Sequence, residues 1–132
     1  MNVLIDTQIL VWSFDAYSPL SKRQKEILEN TANRIFVSQI SLMELAIKKN
    51  LNKLPDFIPD LKTVTEHFLN FGFELLPLTN EHIFSYQQLA LFAEHKDPFD
   101  RFLIAIANCE NLSVMSSDSK FKLYSSYIIL ID

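Results

Sequence analysis

The chain has 132 residues, of which 48% are hydrophobic and 21% are charged, and this composition predicts one globular domain with one apolar core. It excludes a disordered chain, which would be poor in apolar residues, and no apolar run reaches the roughly 18 residues of a membrane span. Sixteen acidic residues against twelve basic ones give a net charge of −4, which argues against a protein that binds nucleic acid through overall positive charge.

Three further features of the sequence exclude classes of protein, namely its N-terminus, its one cysteine and its one glycine. The first residues lack the basic segment of a secretory signal, and Cys109 alone can form no internal disulfide, so we expect a reducing, cytoplasmic setting. Gly72 alone cannot build the glycine-rich loops that bind nucleotide phosphates. Any chemistry is therefore expected to depend on side chains.

Short apolar runs alternate with amphipathic stretches along the whole chain. In chain order we predict a strand at 3–5, a helical turn at 9–14, a helix at 20–31, a strand at 35–37, helices at 41–50 and 57–69, a strand at 73–76, helices at 81–92 and from 98 onward, and strands at 112–115 and 127–131. Solidly apolar strands separated by helices are typical of a parallel sheet covered on both faces. The sequence therefore predicts a single α/β domain, a three-layer sandwich around a five-stranded parallel sheet.

Four acidic residues follow or precede these strands at positions where such folds form sites. Asp6 comes directly after the first strand, and Asp118 comes shortly after the fourth. Glu44 and Asp100 are each expected in the first turn of a helix that begins at the same edge of the sheet. Because sites in open parallel sheets form at the carboxyl ends of the strands, where the strand order reverses, we expect the four carboxylates to converge.

Converging carboxylates repel one another and raise each other's pKa unless a cation lies between them. Ligands that are all oxygen favour Mg²⁺ or Mn²⁺ over zinc. Magnesium held by carboxylates and water can activate a water molecule and offset charge on phosphate oxygens. The pattern therefore predicts hydrolysis of phosphodiesters.

Several of these acids also have a purely structural interpretation. Glu44 could complete a capping box with Ser41, and Asp118 could cap a turn. Asp97 is interpreted first as the N-cap of the helix that Pro98 opens, whereas Asp100 is interpreted as a metal ligand.

The three histidines show no metal-ligand spacing, and Cys109 is interpreted as inert packing. His95 is the histidine nearest the acidic motif, and we interpret it as a surface residue or a neighbour of the ligands rather than a contact to substrate.

Four segments together resemble the PIN-domain ribonucleases, and most closely the VapC-type toxins of bacterial toxin–antitoxin pairs. They are residues 4–7, 38–44, 95–101 and 117–118. The Asp-Pro-Phe-Asp-Arg run at 97–101 is the most specific of them. The resemblance covers essentially the whole chain and implies a five-stranded parallel sheet flanked by helices and an endoribonuclease that depends on Mg²⁺ or Mn²⁺.

The resemblance also implies roles for individual residues. The acidic quartet of the family falls on Asp6, Glu44, Asp100 and Asp118. Its hydroxyl positions fall on Thr7 and on Ser117, where threonine is commoner, while Asp97 either assists or only caps. Gln8 stands where related sequences often have His, Ser or Asn. As partners the resemblance implies RNA as substrate, a homodimer, and a VapB-like antitoxin whose tail reaches the acidic cleft.

We expect Asp6 and Asp100 to bind the metal most directly. Arg101 or a nearby lysine would stabilise the departing oxygen, although Arg101 could instead pair with an acid. Two alternatives stay open. One is a phosphatase with Asp6 as covalent nucleophile, a class that usually has a second Asp where Gln8 stands. The other is a noncatalytic module whose acidic cleft binds a basic peptide.

Overall fold

A five-stranded, entirely parallel sheet forms the middle layer of the protein. The computed structural model describes residues 1–132, and its strands are β1 (Asn2–Ile5), β2 (Arg34–Ser38), β3 (Glu74–Leu76), β4 (Ser113–Met115) and β5 (Leu130–Ile131). They pair in the order β3-β2-β1-β4-β5. The chain builds outward from β1 on one side and returns to its other side with β4. The strand order therefore reverses between β1 and β4, and the predicted sheet is confirmed.

Helices cover both faces of this sheet. They are α1 (Thr7–Trp12), α2 (Lys22–Glu29), α3 (Gln39–Asn50), α4 (Leu61–Asn70), α5 (Asn80–Gln88), α6 (Pro98–Glu110) and a short 3₁₀ helix (Ser119–Tyr124). None of them is long and apolar enough to cross a membrane.

Two separate apolar cores lie on the two faces of the sheet. Because successive side chains of a strand point to opposite faces, Val3 and Ile5 of β1 enter the first core, with residues of α1, α2 and α4. Leu4 enters the second core, which contains the buried face of α6 and residues of the 3₁₀ helix. Both faces of β1 are thus buried, which explains why apolar and polar residues do not alternate in its sequence. The predicted three-layer sandwich is confirmed.

Helix α3 begins earlier than the sequence predicts. Its N-cap is Ser38, the last residue of β2, whose hydroxyl accepts a hydrogen bond from the backbone N–H of Ile40 at 3.0 Å. The prediction that Ser41 caps this helix and forms a capping box with Glu44 is therefore wrong. Glu44 lies in the second turn, not the first, because Ser38 supplies the cap directly at the end of the strand.

Other boundaries also differ from those predicted. Helix α4 begins only at Leu61, after the N-cap Asp60, so Phe57 lies in a loop, where it packs edge-on against Phe14. Helix α5 ends at Gln88 rather than 92. The 3₁₀ helix, capped by Asp118, is not predicted by the sequence pattern.

Candidate active site

Asp6 ends β1 at the point where the strand order reverses. It is the N-cap of α1, and its Oδ1 accepts a hydrogen bond from the backbone N–H of Ile9 at 2.8 Å. The side chain is almost fully buried, with 4% of the residue exposed. The strand-to-helix junction thus fixes a carboxylate at the carboxyl edge of the sheet, as the sequence predicts.

Glu44 enters the same region from α3. Its Oε2 lies 2.6 Å from Nζ of Lys48, one turn further along the helix. Its Oε1 is buried and has no hydrogen-bond partner. A buried carboxylate oxygen without a donor is costly, so Glu44 has one coordination position unfilled by the protein.

The N-terminus of α6 supplies two more acids with different roles. Oδ1 of Asp97 accepts the backbone N–H groups of Phe99 at 2.9 Å and Asp100 at 3.3 Å, which confirms its predicted role as N-cap. Asp100 lies in the first turn, and its Oδ2 lies 3.0 Å from Nε2 of His95.

The segment after β4 contributes the fourth acid of the predicted quartet. Asp118 is exposed and caps the 3₁₀ helix, accepting the backbone N–H of Lys120 at 2.9 Å, so its interpretation as a cap is also confirmed. Ligand atoms of Asp118, Asp100 and His95 lie within 4.8 Å of one another. Capping uses only one oxygen of Asp118, and the carboxylate still belongs to the acidic cluster.

These acids line one pocket of about 370 Å³. Its polar lining consists of Asp6, Thr7, Gln8, Glu44, Lys48, Asp97, Asp100, Ser117 and Asp118. Four apolar residues complete the wall, namely Val11, Trp12, Leu45 and Leu54. The pocket therefore contains five carboxylates and a single base, Lys48.

Burial and mutual repulsion perturb two of the carboxylates. Burial is the main cause that raises the pKa of Asp6 to about 6, and the charges of Asp100 and Glu44 add to it, while hydrogen bonds from Ser116 and Ile9 act in the opposite direction. Burial likewise raises the pKa of Asp100 to about 6, against the hydrogen bond from His95 that lowers it. The protein alone does not compensate the negative charge of this pocket.

The donor set fits a hard divalent cation. The ligand atoms that these carboxylates offer are all oxygens, which Mg²⁺ and Mn²⁺ prefer. A cation in the pocket would give Oε1 of Glu44 a partner, and its charge would lower the raised pKa values of Asp6 and Asp100.

The two hydroxyl residues predicted beside the acids line the pocket but are engaged elsewhere. The Thr7 hydroxyl donates to the Ser41 hydroxyl at 3.0 Å and joins α1 to α3. The Ser117 hydroxyl accepts a hydrogen bond from Nε2 of Gln24 on α2 at 3.1 Å.

Ser116 is the hydroxyl residue that the sequence analysis missed. It is fully buried, its side chain lowers the pKa of Asp6, and its hydroxyl accepts the backbone N–H of Asp118 at 3.1 Å. The pairing of β1 with β4 could have predicted its position. Ile5 pairs with Met115, so the residues that follow them, Asp6 and Ser116, lie side by side where the two strands end.

Arg101 makes neither of the contacts considered from the sequence. It is buried and lines no part of the pocket, and it forms no ion pair with an acid. Instead its Nη1 donates to the carbonyl oxygen of Ala90 at 2.9 Å and to the Tyr124 hydroxyl at 3.1 Å. Arg101 follows Asp100 on the helix but points away from the pocket, toward the second core. Its charge is therefore not available to a departing oxygen.

Comparison with known proteins agrees with this geometry. The family model of the PIN domain matches residues 3–126. The chain belongs to the PIN domain family. No curated protein matches it.

Solved structures share the fold of this PIN domain over nearly its whole length. A chain of VapBC2 from Rickettsia felis, crystallised bound to a DNA fragment from their promoter, is 21% identical with a TM-score of 0.67, over 99% of this chain and 98% of that one. FitAcB from Neisseria gonorrhoeae is 17% identical with a TM-score of 0.63, over 98% and 96%. VapBC-5 from Mycobacterium tuberculosis, a member of the VapBC family of toxin–antitoxin systems, is 14% identical with a TM-score of 0.58, over 98% and 95%. At these identities the likeness shows the fold.

The structure of this PIN domain brings together most of the residues singled out from the sequence. Seven of them line the acidic pocket, namely Asp6, Thr7, Glu44, Asp97, Asp100, Ser117 and Asp118. The eighth, Arg101, reaches it only through other side chains. His95 is buried rather than on the surface and is a direct neighbour of Asp100.

Proposed function

We propose that this PIN domain is an endoribonuclease that requires Mg²⁺ or Mn²⁺ and acts as the toxin of a VapC-type toxin–antitoxin pair. The observation that carries the proposal is the set of carboxylates in one pocket at the switch point of the sheet. Together with the partnerless Oε1 of Glu44, this set is suited to a divalent cation, because the single ion pair to Lys48 cannot neutralise five carboxylates.

Four residues would hold the ion. They are Asp6, Asp100, Asp118 and Glu44, with Asp6 and Asp100 as the most direct ligands. When bound, Mg²⁺ or Mn²⁺ lowers the pKa of a coordinated water and offsets charge on the phosphate oxygens.

Hydroxyl residues in the pocket and beside it keep these ligands in place. The hydrogen bond from Thr7 to Ser41 joins α1 to α3, and this contact preserves the spacing between Asp6 and Glu44. Ser116, which follows β4, lies beside Asp6 and accepts the backbone N–H of Asp118. Three of the four carboxylates are thus tied into one rigid frame.

Lys48 is the base that can contact the substrate. It is the one basic residue of the pocket lining, and 41% of its side chain is exposed. Its ammonium group now neutralises Glu44 at 2.6 Å. If Glu44 turns to a cation, the ammonium is released toward the pocket, where it can bind a phosphate oxygen of RNA.

The partners follow from the same proposal. Structures with this fold include members of the VapBC family of toxin–antitoxin systems, which supports a VapB-like antitoxin as partner. A homodimer is part of the same proposal. The excess of acids in the pocket is complementary to a basic segment at the tail of such an antitoxin.

Cleavage of an RNA panel tests the activity. Transfer, ribosomal and messenger RNA are incubated with the wild type, with Mg²⁺ or Mn²⁺ and with chelator. Asp100→Asn and the control Glu110→Gln, which alters a carboxylate at the opposite end of the same helix, are treated alike. We expect cleavage only with metal, unchanged in Glu110→Gln and reduced by about 10²–10³-fold in Asp100→Asn, the scale of losing one electrostatic contact to developing charge.

Other results would favour the alternatives. An aspartyl-phosphate trapped on Asp6 would indicate a phosphatase, although Gln8 occupies the pocket position where that class usually has a second Asp. Tight binding of a basic peptide without cleavage of any RNA at any metal concentration would indicate a noncatalytic module.

A further inference from the structure

A chain of buried polar side chains leads from the second core to Asp100. Nη1 of Arg101 lies 3.1 Å from the Tyr124 hydroxyl, which lies 3.0 Å from Nδ1 of His95. Nε2 of His95 lies 3.0 Å from Oδ2 of Asp100. Tyr124 is fully buried and His95 is 2% exposed, so water does not compete for these contacts.

Only one direction of hydrogen bonding satisfies every group in this chain. Arginine can only donate, so the Tyr124 oxygen accepts from Arg101. The buried Tyr124 hydroxyl must then donate its own hydrogen, and the acceptor within reach is Nδ1 of His95. The ring hydrogen of His95 is therefore on Nε2, from which it donates to the Asp100 carboxylate.

This direction excludes His95 itself as a metal ligand in the arrangement observed. One ring nitrogen accepts from Tyr124 and the other donates to Asp100, so neither has a free lone pair. The contact occupies Oδ2 of Asp100 and leaves its Oδ1 without a hydrogen bond, while Asp100 lines the pocket.

We propose that His95 is a positioning residue for the metal site, held in its Nε2–H tautomer by Tyr124 and Arg101, and that it orients the Asp100 carboxylate so that Oδ1 faces the ion. This inference rests on the proposed function. It also gives the buried Arg101 a role. Arg101 holds the Tyr124 hydroxyl, which is connected through His95 to the proposed ligand Asp100.

Affinity for Mn²⁺, measured by calorimetric titration of the folded protein without RNA, tests the role. The amide of Asn occupies the place of Nδ1 in a histidine, whereas the amide of Gln reaches the place of Nε2 and can still donate to Asp100. We expect the dissociation constant to rise about tenfold or more in His95→Asn, as for other residues that orient metal ligands. In His95→Gln most of the affinity should be restored, and in Tyr124→Phe the loss should be intermediate.

His82→Asn is the matched control. His82 is also buried, its Nδ1 accepts a backbone N–H and its Nε2 lies 2.7 Å from Glu110, but this pair is at the other end of α6. We expect it to change stability and to leave Mn²⁺ affinity as in the wild type. Tyr127→Phe, which removes a hydroxyl that accepts the backbone N–H of Ala90, controls for loss of a tyrosine hydroxyl nearby.

Nitrogen chemical shifts of the histidine rings report the tautomer directly. We expect the Nε2–H form for His95 in the wild type and a mixture of tautomers in Tyr124→Phe. An Nδ1–H tautomer or an imidazolium at neutral pH in the wild type would overturn the assignment even if a variant failed to fold.

The titration separates this inference from the function on which it rests. If the wild type binds no Mn²⁺, both are wrong. If the wild type binds Mn²⁺ and folded His95→Asn binds it equally well, the positioning role is wrong and the proposed nuclease site stands.

Discussion

Each end of helix α6 carries a carboxylate that pairs with a buried histidine from outside the helix, either His82 of α5 or His95 of the loop before α6. At the C-terminal end Nε2 of His82 lies 2.7 Å from Glu110, and at the N-terminal end Nε2 of His95 lies 3.0 Å from Asp100. The hydrogen bonding is alike, but the surroundings are not. Glu110 is 41% exposed, whereas Asp100 shares a pocket with four other acids. The two pairs therefore differ in the neighbours of the carboxylate and not in its contact to histidine.

The C-terminal pair also resembles a metal site without being suited to one. Ligand atoms of His82, Cys109 and Glu110 lie within 4.8 Å of one another. Nδ1 of His82, however, accepts the backbone N–H of Thr79 at 3.1 Å, so the ring hydrogen is on Nε2 and points to Glu110. Proximity of ligand atoms therefore identifies a site only when their lone pairs are free.

The largest effect on stability is expected for Asp6→Asn in chelator. The pKa of Asp6 is raised to about 6 from 3.8, and one pKa unit corresponds to about 1.4 kcal/mol, so its ionisation costs up to about 3 kcal/mol at pH 7. Asn keeps the N-cap and removes the charge. We expect urea denaturation at pH 7 to show a gain of about 2–3 kcal/mol, and none in Glu110→Gln. Equal stability of Asp6→Asn and wild type would show that the buried charge is already compensated.

A slightly smaller effect is expected from adding metal. A ligand that binds only the folded state stabilises it by about 2.7 kcal/mol at a free concentration one hundred times its dissociation constant. Wild type and Glu110→Gln should both gain this stability with Mn²⁺, whereas Asp100→Asn should gain little at the same concentration. Thermal denaturation with and without chelator measures it, and protection of Asp100→Asn equal to that of wild type would place the ion elsewhere.

Lys48→Met should destabilise the metal-free protein by about 1–2 kcal/mol, because it leaves Glu44 buried without a counterion while the partial exposure of Lys48 limits the loss. Lys22→Met is the control, since Lys22 and Glu26 form an i,i+4 pair of the opposite order at the surface, 3.9 Å apart, and we expect no measurable change there. Mn²⁺ should restore the stability of Lys48→Met. Failure of Mn²⁺ to do so would mean that Glu44 is not a ligand.

The smallest effect concerns pH. The pKa values of Asp6 and Asp100 are raised in the folded state, so the folded protein binds more protons than the unfolded chain between about pH 4 and 6, and stability falls as the pH rises through this range. Acidification from pH 7 to 5 in chelator should stabilise the wild type by about 1 kcal/mol from Asp6 alone. Asp6→Asn should show a weaker pH dependence, and an unchanged dependence would exclude Asp6 as its source.

Local signals in the sequence predict most of the fold and of the pocket. The apolar run at 3–5 ends directly at Asp6, and the Asp97-Pro98 pair marks the start of α6, so two of the acids could be placed from their immediate neighbours. The capping box expected at Ser41 was misleading because Ser38, three residues earlier, already satisfies the first turn. Two serines in this segment could each cap the helix, and the local sequence does not distinguish them. The helix is capped by Ser38 because β2 ends there.

The contacts that organise the site are distant in sequence and could not be predicted in this way. Tyr124 reaches His95 across 29 residues, and Gln24 reaches Ser117 across 93. Neither contact leaves a periodic or spaced pattern in the chain. They depend on how the 3₁₀ helix and α2 pack, which the apolar pattern alone does not specify.

The pocket lies on the seam between the two apolar cores, and this placement makes it sensitive to both. Asp6 follows the central strand, and Asp100 belongs to a helix that packs on one face only. Sliding one layer against the sheet by a fraction of an ångström therefore changes the distance between ligands, even where every helix stays folded. An exchange deep in either core that shifts one layer should therefore weaken binding of the proposed ion in addition to lowering the melting temperature.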